Sequence, residues 1–286
     1  VSSFKATVVG IFMMMLAGIF MFPAQQAHAQ SDISALFINV RKADAILLFL
    51  DDQRYLVDTG YKDSYDALES ALTTYGVTHL DGVIITHTDK DHVGGLTKLL
   101  KSDITVDRLY ASTLHSEKNI EDHPVYKASV KRKVPLTWLK AGDVIEVGNS
   151  SMHVLGPISR DDKNEDNNSL VIDVRTPEGN LLLTGDMKSE EEAELLLNQM
   201  VPQATVLKVA HHAEDDSTSR SFLAAVKPQW AIISTNSEDE PDTPADVVLT
   251  RLWDIKCGVA ITQNASLGIL VTLSGGNAEA HQIDYQ

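Results

Sequence analysis

An apolar run, Gly82-Val83-Ile84-Ile85, leads straight into Thr86-His87-Thr88-Asp89-Lys90-Asp91-His92-Val93-Gly94-Gly95. Two histidines and two aspartates fall within six residues. A buried strand that ends in His-x-Asp-x-Asp-His puts four metal-capable side chains on one short loop, with a helix expected behind it. Imidazole and carboxylate together suit zinc, manganese or iron, and a carboxylate-rich set leans toward the harder ions. The bland alternative is a solvated acidic loop with incidental histidines. Alternating ligand types between an apolar strand and Gly-Gly favour the metal.

The N-terminal stretch reads as a leader. Lys5 precedes an apolar run over residues 6–22, then Pro23 and Ala27-His28-Ala29. That is a positive n-region, an h-region and a small-x-small cleavage site. The reading is a signal peptide at residues 1–29 and a single domain at residues 30–286. An uncleaved membrane anchor is the alternative. Cleavage would leave no stable membrane span and a secreted or extracytoplasmic domain. The only cysteine is Cys257, so no internal disulfide forms and the domain rests on its core or on metal. The formal net charge of −16 argues against broad nucleic-acid binding through the whole-molecule field.

Along the chain, residues 35–40, 45–50 and 54–58 read as strands rich in large apolar side chains. Residues 65–75 have a helical period, stopped by Gly76. A polar stretch runs to Pro124, a hairpin is expected over residues 144–155, and residues 159–168 form a long charged loop. Strands at residues 170–174, 181–183 and 204–210 alternate with helices at residues 190–197 and 219–226. The pattern predicts an α/β fold, an αββα sandwich of two mixed β-sheets with outer helices.

Three further positions sit at predicted strand ends. Asp58 either caps a turn or stands behind a site. Asp186 is either a helix N-cap or, beside the His/Asp loop, a metal ligand. His211-His212 suggests one ligand and one acid or base. His211 is taken as the ligand and His212 as the acid, with the reverse order open. The remaining histidines of residues 79–153 and His281 are read as surface or structural.

The loop resembles the His-x-His-x-Asp-His signature of the metallo-β-lactamase superfamily, with Asp89 at the second histidine. That variant resembles a narrower group, the metallo-β-lactamase-like domain of the bacterial DNA-uptake channel ComEC and its free-standing secreted relatives. Asp58-Thr59-Gly60, Asn167-Asn168-Ser169-Leu170-Val171, Leu181-Leu182-Leu183-Thr184-Gly185-Asp186 and Leu207-Lys208-Val209-Ala210-His211-His212 are similar to further motifs of that group. The chain departs from it at Arg41-Lys42-Ala43, at Glu214-Asp215-Asp216 and at Thr243, where a histidine is expected.

The resemblance implies a secreted hydrolase with two divalent ions, zinc or manganese. His87, Asp89 and Asp186 would hold one ion. Asp91, His92, Asp186 and His211 would hold the other, with Asp186 bridging. A metal-bound hydroxide would attack, Asp91 and His212 would serve catalysis, and Asp58, Asn168 and Lys208 would stand behind the ligands or touch substrate. A phosphodiester is the favoured substrate. DNA is open but disfavoured by the acidic charge. Two alternatives are a lactone, lactam or thioester hydrolase, and a non-catalytic secreted binding module.

Overall fold

Strands that are apolar nearly throughout bury both faces. β1 (Ile33–Ile38) and β2 (Ile46–Leu50) are buried at every position. The computed structural model describes residues 33–285, so the leader reading at residues 1–29 lies outside the described residues. No helix among the described residues is long and apolar enough to cross a membrane.

The first half continues with β3 (Gln53–Val57), α1 (Tyr65–Thr74), β4 (His79–Leu80) and β5 (Gly82–Ile85). Two short helices follow, α2 (Lys90–Val93) and α3 (Leu96–Leu99), then β6 (Thr105–Val106), β7 (Leu109–Ser112), α4 (Pro124–Arg132) and β8 (Leu136–Leu139). The second half runs β9 (Val144–Val147), β10 (Ser150–Gly156), β11 (Val171–Thr176), β12 (Gly179–Leu183), α5 (Ser189–Leu197) and β13 (Val206–Lys208). It closes with α6 (Arg220–Val226), β14 (Trp230–Ile233), α7 (Asp246–Asp254) and β15 (Gly258–Ile261). β16 (Gly268–Ser274) and β17 (Asn277–Ile283) return to the first sheet.

The strand order is β17-β16-β1-β2-β3-β5-β7-β8 in one sheet and β15-β14-β13-β12-β11-β10-β9 in the other. Each sheet is antiparallel on one side and parallel on the other, the change falling at β3/β5 and β12/β13. Alternation along the strands builds the layers. Ile46, Leu48 and Leu50 meet Leu181 and Leu183 between the sheets. Leu47 and Phe49 face the helical layer with Leu68 and Leu72, and Leu182 faces the opposite one with Leu195 and Phe222. This is the expected αββα sandwich of two mixed sheets. The helix at Pro124–Arg132 was not apparent in sequence, because its buried stripe is thin: Val125 and Ala128. Pro124 opens it at a position where no amide is needed, and left-handed Lys133 ends it.

Helix α5 buries a carboxylate. Glu191 is 3% exposed, and neither of its side-chain oxygens has a hydrogen-bond partner among the described residues. Burial, and then the charge of Glu194, push its pKa well above the ordinary glutamate value. A carboxyl raised in the folded state stabilises below its unfolded pKa and loses that contribution as pH rises through the folded value. Each unit of displacement is worth about 1.4 kcal/mol. Glu191→Gln is therefore expected to leave Tm of the metal-free protein unchanged at pH 4. At pH 8 it should raise Tm by roughly 2–4 °C per kcal/mol recovered. Calorimetry showing the same difference at both pH values would refute this.

Candidate metal centre

Four strands of the two sheets deliver the site from their C-terminal ends. Asp58 follows β3 in a left-handed conformation, φ 60°. Its carboxylate accepts from the Thr86 amide at 2.8 Å and the Thr86 hydroxyl at 2.7 Å, and lies 2.8 Å from His92 Nδ1. The loop after β5 closes onto this turn through Gly94-Gly95. The Gly95 amide donates to the Gly60 carbonyl at 3.0 Å, and a Cβ on Gly95 would lie 2.3 Å from the Thr59 carbonyl oxygen. Any side chain there would push the two loops apart.

Asp91, His92, Asp186 and His212 form the buried heart. Asp186 follows β12, and its Oδ2 lies 3.0 Å from His92 Nε2 and 3.2 Å from His212 Nε2. Asp91 Oδ2 is 3.3 Å from His212 Nε2 and 3.9 Å from His92 Nε2. Both rings are anchored through their other nitrogen, His92 by Asp58 and His212 by the Ser234 carbonyl at 2.7 Å. Such anchors fix the tautomer and aim Nε2 inward.

Charge is concentrated here. Burial alone would lower the His92 pKa, but the carboxylates of Asp186, Asp58 and Asp91 hold it well above the ordinary histidine value. For His212 burial is again outweighed, by Asp186 and then Asp91, and the pKa is pushed up to about 9. Asp186 is driven the other way: burial would raise it, but His212 and His92 keep it well below the carboxylate range.

His87 flanks this heart. Its Nδ1 is 3.2 Å from the hydroxyls of Thr86 and Ser169. Its Nε2 points at Asp166 Oδ1, 3.8 Å away, and Asp186 Oδ2, 4.0 Å away. Asp89 is exposed at the opening and groups with His87 and Asp166.

Several expectations change. His212, not His211, enters the buried group with Asp91, His92 and Asp186. The reason is the backbone. His211, His212 and Ala213 are all left-handed, with φ of 47°, 52° and 66°, and the turn swings His211 outward. Its Nδ1 pairs with Asp216 at 2.8 Å and its Nε2 lies 3.9 Å from Asp166 Oδ2. His212 has Nδ1 taken by the Ser234 carbonyl and Nε2 aimed at Asp186 and Asp91, which places it among the candidate ligands. Asn168 does not face the site, because its amide is spent on the Asp161 backbone and on Glu165. Its neighbour Ser169 does the positioning, bonded to His87 and accepting from the Asp186 amide at 3.1 Å. Lys208 is fully buried and touches no substrate space. Its Nζ lies 2.7 Å from Asp44 Oδ2 and donates to the Val209 carbonyl. Thr243 is buried and bonded to Thr235, which closes its loop rather than serving the cluster.

Sequence reasoning missed Asp44, Asp166 and Ser169. Asp44 stands 3.9 Å from His92 Nδ1 and its amide donates to the Asp91 carbonyl. Ser169 lay inside a quoted motif, so the signal existed. Asp166 sits among nine other polar or charged residues of the loop at 159–168, and nothing in its local pattern marks it.

The donor set fits a divalent cation. Among the described residues, His87 Nε2, His212 Nε2 and Asp186 Oδ1 are buried without a hydrogen-bond partner, and both imidazole nitrogens face Asp186 Oδ2, at 4.0 and 3.2 Å. Such groups are costly unless something pairs them. For His212 the carboxylates within reach are close contacts without hydrogen-bond geometry.

Residues 38–162 match the family model described as Metallo-beta-lactamase superfamily. The metallo-beta-lactamase fold protein YhfI from Bacillus subtilis superposes with a TM-score of 0.55 at 15% identity, over 84% of this chain and 98% of that one. The chain has the metallo-β-lactamase fold. In sequence it resembles the ComEC type. It is 30% identical to ComE operon protein 3 of Bacillus subtilis over 82% of this chain and 32% of the relative. The chain spans 21–32% of the length of the curated relatives it matches. CmlA, a diiron beta-hydroxylase from Streptomyces venezuelae, shares the fold at a TM-score of 0.56 and 11% identity, over 88% and 54% of the two chains. The fold therefore carries more than one reaction. Over residues 38–162 the chain is similar to that hydrolase-like superfamily, and metal-capable His/Asp groups are in place.

The anchor of His92 is a test of the site. Removing a partner of a ligand histidine typically costs 10–100-fold in metal affinity. Asp58→Asn is expected to weaken divalent-cation binding by about that factor, read by calorimetric titration, with the fold kept. An unchanged Kd would show that Asp58 serves the turn alone.

Proposed function

We propose that the chain is a metal-dependent phosphodiesterase that acts outside the cytoplasmic membrane on a small substrate. The observation that carries this is that the buried, unpartnered Nε2 atoms of His87 and His212 both face the Asp186 carboxylate, whose Oδ1 is also without a partner among the described residues. The resemblance to ComE operon protein 3 and the leader reading at residues 1–29 support it.

Asp91, His92, Asp186 and His212 would hold one cation, and His87 and Asp89 begin a second position. A bound cation supplies Lewis acidity that makes hydroxide accessible near neutral pH and offsets charge on phosphoryl oxygens. His211 takes the acid role. Asp216 orients its ring through Nδ1, and Nε2, 3.9 Å from Asp166 Oδ2, would give a proton to the leaving oxygen. Lys42, held by Glu214 at 2.6 Å, is the cation at the rim for a non-bridging phosphate oxygen.

Substrate size follows from charge. A cavity of about 660 Å³ opens beside Glu214 and is lined also by Asp215, Glu240, Asp242 and Asp246. None of its lining residues belongs to the buried cluster. Its five carboxylates, one of them Glu214 beside His211, repel a long polyanion, which favours a small phosphodiester over DNA.

Metal analysis of the purified protein should find bound zinc or manganese. Parallel assays with bis-p-nitrophenyl phosphate, linear DNA and nitrocefin should show turnover of the first, lost in Asp91→Ala. No bound metal, or phosphodiester turnover that survives Asp91→Ala, would overturn the reading. Metal without turnover of any of the three would point to a binding module.

A further inference from the structure

We propose that Asp166 is a ligand of a second divalent cation, together with His87 and Asp89, and that Lys188 is the positioning residue that orients it. This deepens the metal-dependent reading of the same site and rests on it. Thr243, at the position where a histidine is expected, is bonded to Thr235 and is not part of this group. Asp166 is what the fold supplies instead.

Three observations carry the assignment. The first is the orphan. His87 has a fully buried side chain, and its Nε2 has no hydrogen-bond partner among the described residues. It faces Asp166 Oδ1 at 3.8 Å and Asp186 Oδ2 at 4.0 Å, too far for a direct bond. Two metal–ligand bonds of about 2 Å span such a gap. Second, one donor atom each from His87, Asp89 and Asp166 lies within 4.8 Å of the others, with Asp186 on the shared side.

The third is the division of labour within the Asp166 carboxylate. Its Oδ2 is paired with Lys188 Nζ at 2.9 Å, while Oδ1 is the oxygen turned to His87. Lys188 is itself fixed by Asp216 at 3.2 Å, and Asp216 also holds His211. A carboxylate held on one oxygen presents the other in a set direction, which is how outer partners orient metal ligands.

The bland reading is a rim ion pair between Asp166 and Lys188. Charge argues against it as the whole account. At this end Lys188 serves both Asp166 and Asp216, and Asp89 adds a third carboxylate beside an imidazole nitrogen without a hydrogen-bond partner among the described residues. A divalent cation balances that set. With two carboxylates to one imidazole, this position should favour manganese over zinc more than the histidine-richer cluster at His92 and His212 does.

The test uses the whole protein, stripped and titrated separately with Mn²⁺ and Zn²⁺. Bound equivalents are counted by elemental analysis and Kd values by calorimetry. Wild type should take two equivalents. Asp166→Ala should take one, with the tighter Kd unchanged. Lys188→Met should take two, the weaker by about 10–100-fold. Asp166→Asn keeps the shape and controls for folding, checked by circular dichroism; it should also lose at least about tenfold at the weaker position. Two equivalents with unchanged Kd in Asp166→Ala and Asp166→Asn would overturn the ligand role. An unchanged Lys188→Met would overturn the positioning role. One equivalent in wild type would sink this inference and leave the buried cluster standing. No equivalents would sink the functional proposal as well.

Discussion

Asp186→Ala is expected to abolish hydrolysis and tight cation binding together. Asp186 Oδ2 is the atom on which His92, His212 and, at longer range, His87 all converge. It is therefore the one carboxylate shared by both ends of the site. Losing the Lewis acid forfeits several kcal/mol of transition-state stabilisation, so kcat/KM should fall by about a thousandfold or more. The substitution also leaves two buried imidazoles facing less negative charge, which lowers their pKa values toward the ordinary range. Asp186→Asn, close in shape, separates loss of charge from loss of packing. Kinetics and bound-metal counts on both variants, with circular dichroism as the folding control, decide the matter. A variant that keeps metal and rate would mean the reaction lies elsewhere.

His212→Ala and His211→Ala should fail in different ways. His212 stands in the buried group, so its loss should remove a bound ion and, with it, most of the rate. His211 stands at the opening against Asp216. Its loss should keep the metal and cost about 10²–10⁴ in kcat for a substrate whose leaving oxygen needs a proton. With p-nitrophenolate, which leaves without one, the loss should be small. Metal counts plus the two substrates separate ligand from acid. If His211→Ala sheds an ion, His211 is a ligand and the acid must be sought elsewhere.

The paired histidines also show how far sequence carries. The apolar runs that become β1, β2, β5 and β12 predict a sheet buried on both faces, because a strand without a polar face has nowhere else to go. The residues that follow β3, β5 and β12 were readable for the same reason: Asp58, His87 and Asp186 each come after an apolar run. The order within His211-His212 was not readable. It depends on three successive left-handed residues, a conformation that carries no mark in a His-His-Ala sequence. Asn168 misled because it neighbours the residue that works, and a rotation of one position separates Ser169 from it. Asp166 was invisible because its partners, His87 and Lys188, are distant in sequence and meet only when the long loop folds over the strand ends.

The site draws its groups from both sheets. His87, Asp91 and His92 follow β5 in one layer, while Asp186 and His212 follow β12 and β13 in the other. Between them the Leu170 amide donates to the Thr86 carbonyl at 2.9 Å. A cation here would rivet the two layers at one edge of the sandwich, where the apolar filling between the sheets ends. Loading should then slow amide exchange at the ends of β5 and β12 in step, and chelation should release both. On this view the ion would work as a mechanical closure for the domain as well as a reagent, a role that suits a chain with a single cysteine and no disulfide to do the fastening.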